Sequence, residues 1–460
     1  MAGSEAERYE AVIAELRAGL AERDARIDAL SAQVSQLGKL LDEARRAGKR
    51  QAAPFSKGDP KPEPATPGRK SGKAYGKRAA RPVPDVADRE LEAVLPSCCP
   101  DCGGVVIGDG VRDQWVSEVP KCEPVVTRFR VHVGHCTGCE RRLQGRHPEQ
   151  SSDALGAAGV QLGPRVKAFA QFLHYQLGLS FERCADTLAR LFGFHASRAA
   201  LCRAGEVTAL ALAPTHAAIE KAVNDAPAVT ADETGWRVGG RRSWLWVVTY
   251  AKATAYRITV GRGFDDIKDM LDADYDGILV RDGWAPYRSY TKATHQSCLA
   301  HLCRRAHELK VELPRYEHGF PNAVAEILDE ALGWRDEDRP VDERVEAAEV
   351  LQDRLVSVCT ATIIGDKNRT FANHLIREAD AIFTFLRHGN DAANWRAEQA
   401  IRPAVVNRKT YGGNRTERGA HTQSVLMSFL VTARQQGHDA IELLVGLARE
   451  PAPALAFIIN

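Results

Sequence analysis

The chain has 460 residues, enough for about three folded units at roughly 150 residues each. Hydrophobic residues make up 44%, charged residues 27% and aromatics 7%, which excludes a disordered or fibrous protein and fits a soluble globular one. Lys plus Arg is 62 against 60 for Asp plus Glu, so the net charge of +2 carries no overall sign of a nucleic-acid partner.

Residues 2–10 are polar and acidic, without the apolar core of a signal peptide, and no run of about 18 apolar residues suggests a membrane span. The expected location is therefore the cytoplasm, with no membrane partner. There the eleven cysteines stay reduced, and metal ligation or burial is favoured over disulfides.

From residue 13 to 41 apolar side chains recur every seven positions. Ile13, Leu20, Ile27, Val34 and Leu41 form one row; Leu16, Leu30 and Leu37 form another, broken by Arg23. These are the seams of a coiled coil, and β-branched residues in the first row with Leu in the second favour a parallel dimer. The alternative is an amphipathic helix packed on its own chain. The zipper is expected over 1–47. A linker follows over 48–90, with seven prolines between residues 54 and 84. Twelve bases and two acids give residues 45–83 a charge of +10, leaving −8 for the rest, so the near-neutral total is a cancellation. Such a segment suits either a solvated spacer or phosphate neutralisation.

A cysteine-bearing unit is expected over 91–148. Cys99-Pro-Asp-Cys102 and Cys136-Thr-Gly-Cys139 are two C-x-x-C knuckles whose four thiolates fit a structural, tetrahedral Zn2+ in a ribbon-like unit. Reduced structural cysteines or a redox pair are the alternatives. The alternating Val125, Thr127, Phe129, Val131 and Val133 predict a strand between the knuckles.

Residues 160–223 read as helices with turns at Gly178 and Gly193, and with Ser180 and Ser197 as N-caps. This is either a helix-turn-helix-like unit presenting Arg198 and Arg203 to DNA or a plain helix pair. Strands are predicted at 228–231, 244–250, 254–260 and 277–280, with a helix near 265–271, and helices dominate from 297 onward.

Val229-Thr-Ala-Asp232 and Ile278-Leu-Val-Arg-Asp282 each run an apolar strand into an acid. Either acid alone is read as a turn residue or cap. Two in one sheet make a Mg2+ site more plausible, with substrate phosphate completing the shell. Farther on, Glu398 and Arg402 lie one helical turn apart behind Asp391, a predicted cap, and otherwise read as a surface pair. The basic stretch Arg408-Lys409-Thr-Tyr-Gly-Gly-Asn-Arg415 is suited to gripping DNA backbone.

The ordered motifs A-D-E-T-G-W, R-D-G-W-A-P-Y, H-Q-S-C-L-A-H-L-C-R-R, A-E-Q-A-I-R-P and R-K-T-Y-G-G-N-R, together with the zipper and paired knuckles, resemble the insertion-sequence-66 family of bacterial transposases. The resemblance covers nearly the whole chain. It implies a multidomain α/β protein with a coiled coil, whose ribonuclease-H-like catalytic domain spans 226–420 and a C-terminal helical segment 421–460. It also implies an Asp-Asp-Glu triad at Asp232, Asp282 and Glu398 binding two Mg2+ (or Mn2+) ions bridged by Asp232. The implied activity is DNA transposition: metal-dependent cleavage at element ends, then strand transfer into target DNA.

Gln399 stands where the family motif commonly has Arg. The 115 residues between Asp282 and Glu398 imply a helical insertion around 315–388. Arg304 and Arg305, with His301, follow the second acid as candidate DNA contacts. Expected partners are element and target DNA, a second copy of the chain, and possible accessory proteins, at the bacterial nucleoid. The competing reading is a non-catalytic zinc-containing DNA-binding regulator, or an inactivated remnant.

The zipper has a direct test. Sedimentation of residues 1–50 is expected to return a dimer, and a concentration-independent monomer contradicts it.

Overall fold

The computed structural model describes residues 81–336 and 339–449 and nine scattered positions between 19 and 37. Ile27, Leu30 and Leu37 are among the nine, helical and more than half exposed; the rest of the zipper and the linker up to residue 80 lie outside the described residues. The chain divides into two units, residues 1–117 and 118–460. The division falls between the two cysteine knuckles, so each is described within its own unit.

In the first unit, described from residue 81, the chain runs without helix or strand around the first knuckle. Its turn is closed by Cys99 N–H to Gly104 O at 2.8 Å and Gly103 N–H to Cys99 O at 2.9 Å, with Gly103 in the left-handed region at φ +73°.

The second unit opens with an exposed extended run. The strand predicted across Val125 to Val133 forms only at its end. Val125 and Val126 are more than nine-tenths exposed, so alternation there has no apolar surface to face. β1 (Val133–His135) and β2 (Arg142–Gln144) pair antiparallel and carry Cys136 and Cys139 on their connecting turn.

The helices α1 (Pro164–Gln171), α2 (Phe181–Phe192), α3 (Arg198–Ala211) and α4 (Ala213–Asn224) follow. Ser180 and Ser197 cap α2 and α3 through the amides of Arg183 and Ala200, at 3.3 and 3.2 Å. Cys184, Leu188, Leu201 and Ala170 form a small core of their own, while Ala209, Leu212, Ile219 and Val223 join the main core beneath the sheet.

That sheet holds β3 (Ala228–Val238), β4 (Arg241–Thr249), β5 (Thr254–Thr259), β6 (Ile278–Arg281) and β7 (Thr294–Ser297), ordered β5-β4-β3-β6-β7. The first three form an antiparallel meander; β6 is parallel to β3 and β7 to β6. A short helix, α5 (Phe264–Ile267), precedes β6. β7 escaped the sequence reading because Thr-His-Gln-Ser has no apolar side chain, although Gln296 and Ser297 are buried.

Six further helices complete the unit before its end: α6 (Leu299–Glu312), α7 (Gly319–Asp336), α8 (Val341–Thr360), α9 (Asp366–Ile382), α10 (Thr384–His388) and α11 (Trp395–Tyr411). α6 to α10 share a second core of Leu302, Leu309, Leu328, Leu351, Leu355, Phe371 and Leu375. Two last helices, α12 (Glu417–Gln435) and α13 (Ala440–Arg449), return to the first core. α12 closes one sheet edge: Ser428 and Thr432 hydroxyls accept from the backbone N–H groups of Tyr256 and Thr254 at 2.8 and 3.1 Å. The other edge is stitched to α9 and α10, where Gln296 donates to Ile382 O at 2.9 Å and accepts from Phe385 N–H at 2.7 Å. Neither edge strand is left bare for pairing with another chain.

The strongest tie between sheet and inserted helices is ionic. Arg281, 2% exposed at the end of β6, pairs with the fully buried Glu378 of α9, which also accepts from Ser297 Oγ at 2.5 Å and Arg288 at 3.2 Å. Removing one partner from such a pair leaves a charge without water or counter-ion. Glu378→Ala is therefore expected to destabilise the protein by about 3–5 kcal/mol in chemical unfolding. Glu378→Gln, which keeps the hydrogen-bond shape, is expected to lose less; equal stability of wild type and Glu378→Ala contradicts the role.

Candidate active site

Asp232 lies midway along β3, the central strand, and Asp282 follows β6, the parallel neighbour. With Thr230 opposite Val280 in the β3–β6 register, the two acids leave adjacent strands at the same level. Glu398 sits in the first turn of α11. Asp391 does not cap that helix: it accepts from Arg396 Nε at 2.7 Å, and the helix begins after the buried Asn394.

Burial first, then the charge of Glu233, then those of Asp282 and Glu398 push the Asp232 carboxyl up to about 7, against a single opposing hydrogen bond from the Glu233 amide. The charges of Asp282, after β6, and of Glu398, on α11, thus both bear on Asp232. Asp282 Oδ1 accepts from Trp284 N–H at 2.8 Å, which fixes the turn behind it.

Glu233 stands directly after Asp232 in A-D-E-T-G-W, and nothing in the sequence gives it a role of its own. It is 8% exposed and is held by Tyr287 Oη at 2.5 Å and Arg262 Nε at 2.8 Å. The Arg262 guanidinium lies 3.7 Å from the Trp284 ring centroid and 4.5 Å from that of Trp244. Its visible signal was the pair Trp284 and Tyr287 spaced behind Asp282.

The basic residues divide in their surroundings. Arg198, Arg203, Arg304, Arg402, Lys409 and Arg415 are exposed, Arg198 within 3.9 Å of Glu182. Arg305 pairs with Glu308 and Glu312 at 3.4 and 3.5 Å. Arg408 is half-buried and donates to Thr234 Oγ1 at 3.0 Å and to Gly235 O on β3. Around it Trp236 Nε1 donates to Asn414 Oδ1 at 2.7 Å, and Asn414 and Gly239 bond across the strand end. At Gly413, φ is +119° and an added Cβ would lie 2.3 Å from Arg237 O, so only glycine fits. Much of the basic stretch is thus a clasp between α11 and β3.

Against Glu398 lies His301 of α6, Nε2 to Oε1 3.7 Å, with Cys298 close by. Each cysteine knuckle, in its own unit, lowers one thiol: backbone amides of Asp101 and Cys102 act on Cys99, and those of Gly138 and Cys139 on Cys136. Among the described residues no helix is long and apolar enough to cross a membrane.

Residues 159–422 match the family model described as Transposase IS66 family. The chain belongs to the IS66 transposase family. It is also similar to an uncharacterized protein, y4qI, of Sinorhizobium fredii (strain NBRC 101917 / NGR234), 24% identical over 413 residues that cover 80% of this chain and 74% of the relative. The match takes in the helical unit α1 to α4, the sheet, the inserted helices and the clasp.

The raised Asp232 carboxyl has a consequence for stability. Between pH 4 and 7 the folded protein keeps a proton that the unfolded chain has released, so stability falls as pH rises through this window. Asp232→Asn removes the charge and is expected to raise the melting temperature of metal-free protein at pH 8, by about 2–4 kcal/mol of stability, and to change little at pH 4. Calorimetry at both pH values checks this; no gain at pH 8 contradicts a crowded acid.

Proposed function

We propose that this transposase cleaves DNA at the ends of its element and joins the freed 3'-hydroxyl to target DNA, with Asp232, Asp282 and Glu398 as the metal-binding triad. The observation that carries this reading is the β3–β6 register, which sets Asp232 and Asp282 at one level on neighbouring segments, with the charge of Glu398 on α11 also bearing on Asp232. The donor set fits a hard divalent cation, because it offers carboxylate oxygens whose mutual repulsion a cation relieves. When bound there, two Mg2+ (or Mn2+) ions would supply activation of the attacking oxygen and charge stabilisation at the leaving oxygen of an in-line displacement at phosphorus.

The chain's own residues supply position and charge balance. β3 and β6 fix two acids on rigid neighbouring strands, and the clasp at Arg408 and Asn414 holds α11 against the first. Glu233 is buried and ion-paired with the part-exposed Arg262, and its charge still bears on Asp232, which adds to the need for a cation there. No protein nucleophile is required by this chemistry.

Exposed Arg198, Arg203, Arg304, Arg402, Lys409 and Arg415 support DNA backbone contacts, with affinity that falls as salt rises. Zn2+ on Cys99, Cys102, Cys136 and Cys139, dimerisation through the zipper and accessory proteins of the element complete the proposal.

The test is strand cleavage of element-end DNA in Mg2+. Asp232→Asn and Asp282→Asn are each expected to lose ~1000-fold or more in rate, about 4 kcal/mol of transition-state stabilisation, while DNA affinity changes little. Full cleavage by either variant sinks the triad, and nicking without joining reduces the activity to a nuclease.

A further inference from the structure

A second donor set shares Glu398. Cys298 stands at the N-cap of α6 and His301 one turn later on the same helix, so a C-x-x-H spacing presents thiol and imidazole together. Cys298 Sγ, a His301 ring nitrogen and a Glu398 carboxylate oxygen all lie within 4.8 Å of one another. Tetrahedral zinc with bonds of about 2.0–2.3 Å asks for ligand separations of roughly 3.3–3.8 Å, within reach of small side-chain rotations.

The site is held from behind. Asn394 N–H donates to Cys298 Sγ at 3.4 Å and Leu299 N–H to Ala392 O at 3.0 Å, which pins the start of α6 to the residues leading into α11. Its polar atoms are short of partners: His301 Nδ1 is buried without a hydrogen bond, and Nε2 stands 3.7 Å from Glu398, too far for one. The Asn394 side chain is fully buried with both Oδ1 and Nδ2 unpaired. Native interiors seldom tolerate such a grouping unless something else engages it.

We propose that Cys298, His301 and Glu398 form a three-ligand site for a thiophilic divalent cation such as Zn2+, and that its occupation withdraws Glu398 from the carboxylate triad and inhibits cleavage. The coupling to cleavage rests on the function proposed above; the site itself does not. Thiolate and imidazole select zinc over magnesium, and three protein ligands leave one position open. Binding displaces the Cys298 proton to solvent, so one proton leaves for each cation bound.

The test uses full-length protein stripped of metal and titrated with Co2+ as a spectroscopic probe. Wild type is expected to bind one more equivalent in tetrahedral thiolate form than Cys298→Ser; the knuckle cysteines contribute equally to both. His301→Gln is expected to weaken that extra equivalent by about tenfold or more. Equal stoichiometry and affinity in wild type and either variant overturns the site. In Mg2+-supported cleavage, Zn2+ at the concentration that fills the site should slow wild type by about tenfold or more, and slow Cys298→Ser less than about twofold relative to its own zinc-free rate. Equal inhibition of both overturns the coupling. A wild type that takes the extra cobalt but never cleaves DNA refutes the transposase chemistry and leaves the site standing.

Discussion

The architecture turns on the negative charge gathered around Asp232. A carboxylate buried in a sheet pays for desolvation, and here Glu233, Asp282 and Glu398 add repulsion to burial, enough to hold its proton to about 7. Such a site persists only if the surrounding fold is stable without it. That stability comes from the rest of the sheet, where Trp236, Leu245, Trp246, Val247 and Tyr256 are fully or almost fully buried. It comes also from two cations placed just outside the cluster. Arg262 pairs with Glu233, and Arg281, directly before Asp282, pairs with Glu378. Neither pair removes the repulsion at Asp232, whose carboxyl stays raised to about 7.

Position follows from the same balance. Asp232 and Asp282 are placed by strand register, but Glu398 stands on a helix, α11, that has to be held against β3. The residues after it do that. Arg408 bonds to Thr234 and Gly235, Tyr411 stacks on His174 at 4.6 Å, and Asn414 completes the strand end with Trp236. A stretch rich in Arg and Lys therefore serves the protein's own interior as much as its surface. Charge composition alone does not separate the two uses, because Arg408 and Arg415 look alike in sequence while one is half-buried and the other exposed.

The sequence showed most where periodicity and chemistry coincide. Apolar runs before an acid marked β3 and β6, although β3 continues past Asp232 to Val238; serine before an apolar period marked the caps of α2 and α3, and the long gap before Glu398 marked extra helices. It failed where a residue's role depends on what arrives from afar. β7 is polar because its side chains bond to α9 and α10, so hydrophobicity could not reveal it. Val125, Thr127, Phe129 and Val131 alternate as a strand should, yet lie outside any strand. Asp391 has the chemistry of a cap but spends it on Arg396, and Glu233 looked like a neighbour of the important acid rather than a buried partner of Tyr287.

The inserted helices account for the long stretch of sequence between Asp282 and Glu398. They leave the sheet at α6 and return at α11, and the two junctions are bonded to each other through Leu299 and Ala392 and through Cys298 and Asn394. With entry and exit pinned together, the length between them is a closed excursion, and lengthening such a loop costs little because closure entropy grows only logarithmically. Their second core makes the excursion self-supporting, and the Arg281–Glu378 pair fixes it to the strand that carries Asp282. The same pinning that brings α11 back to the start of α6 also sets Cys298 and His301 beside Glu398, so the entry and exit of the insertion meet at one set of thiol, imidazole and carboxylate.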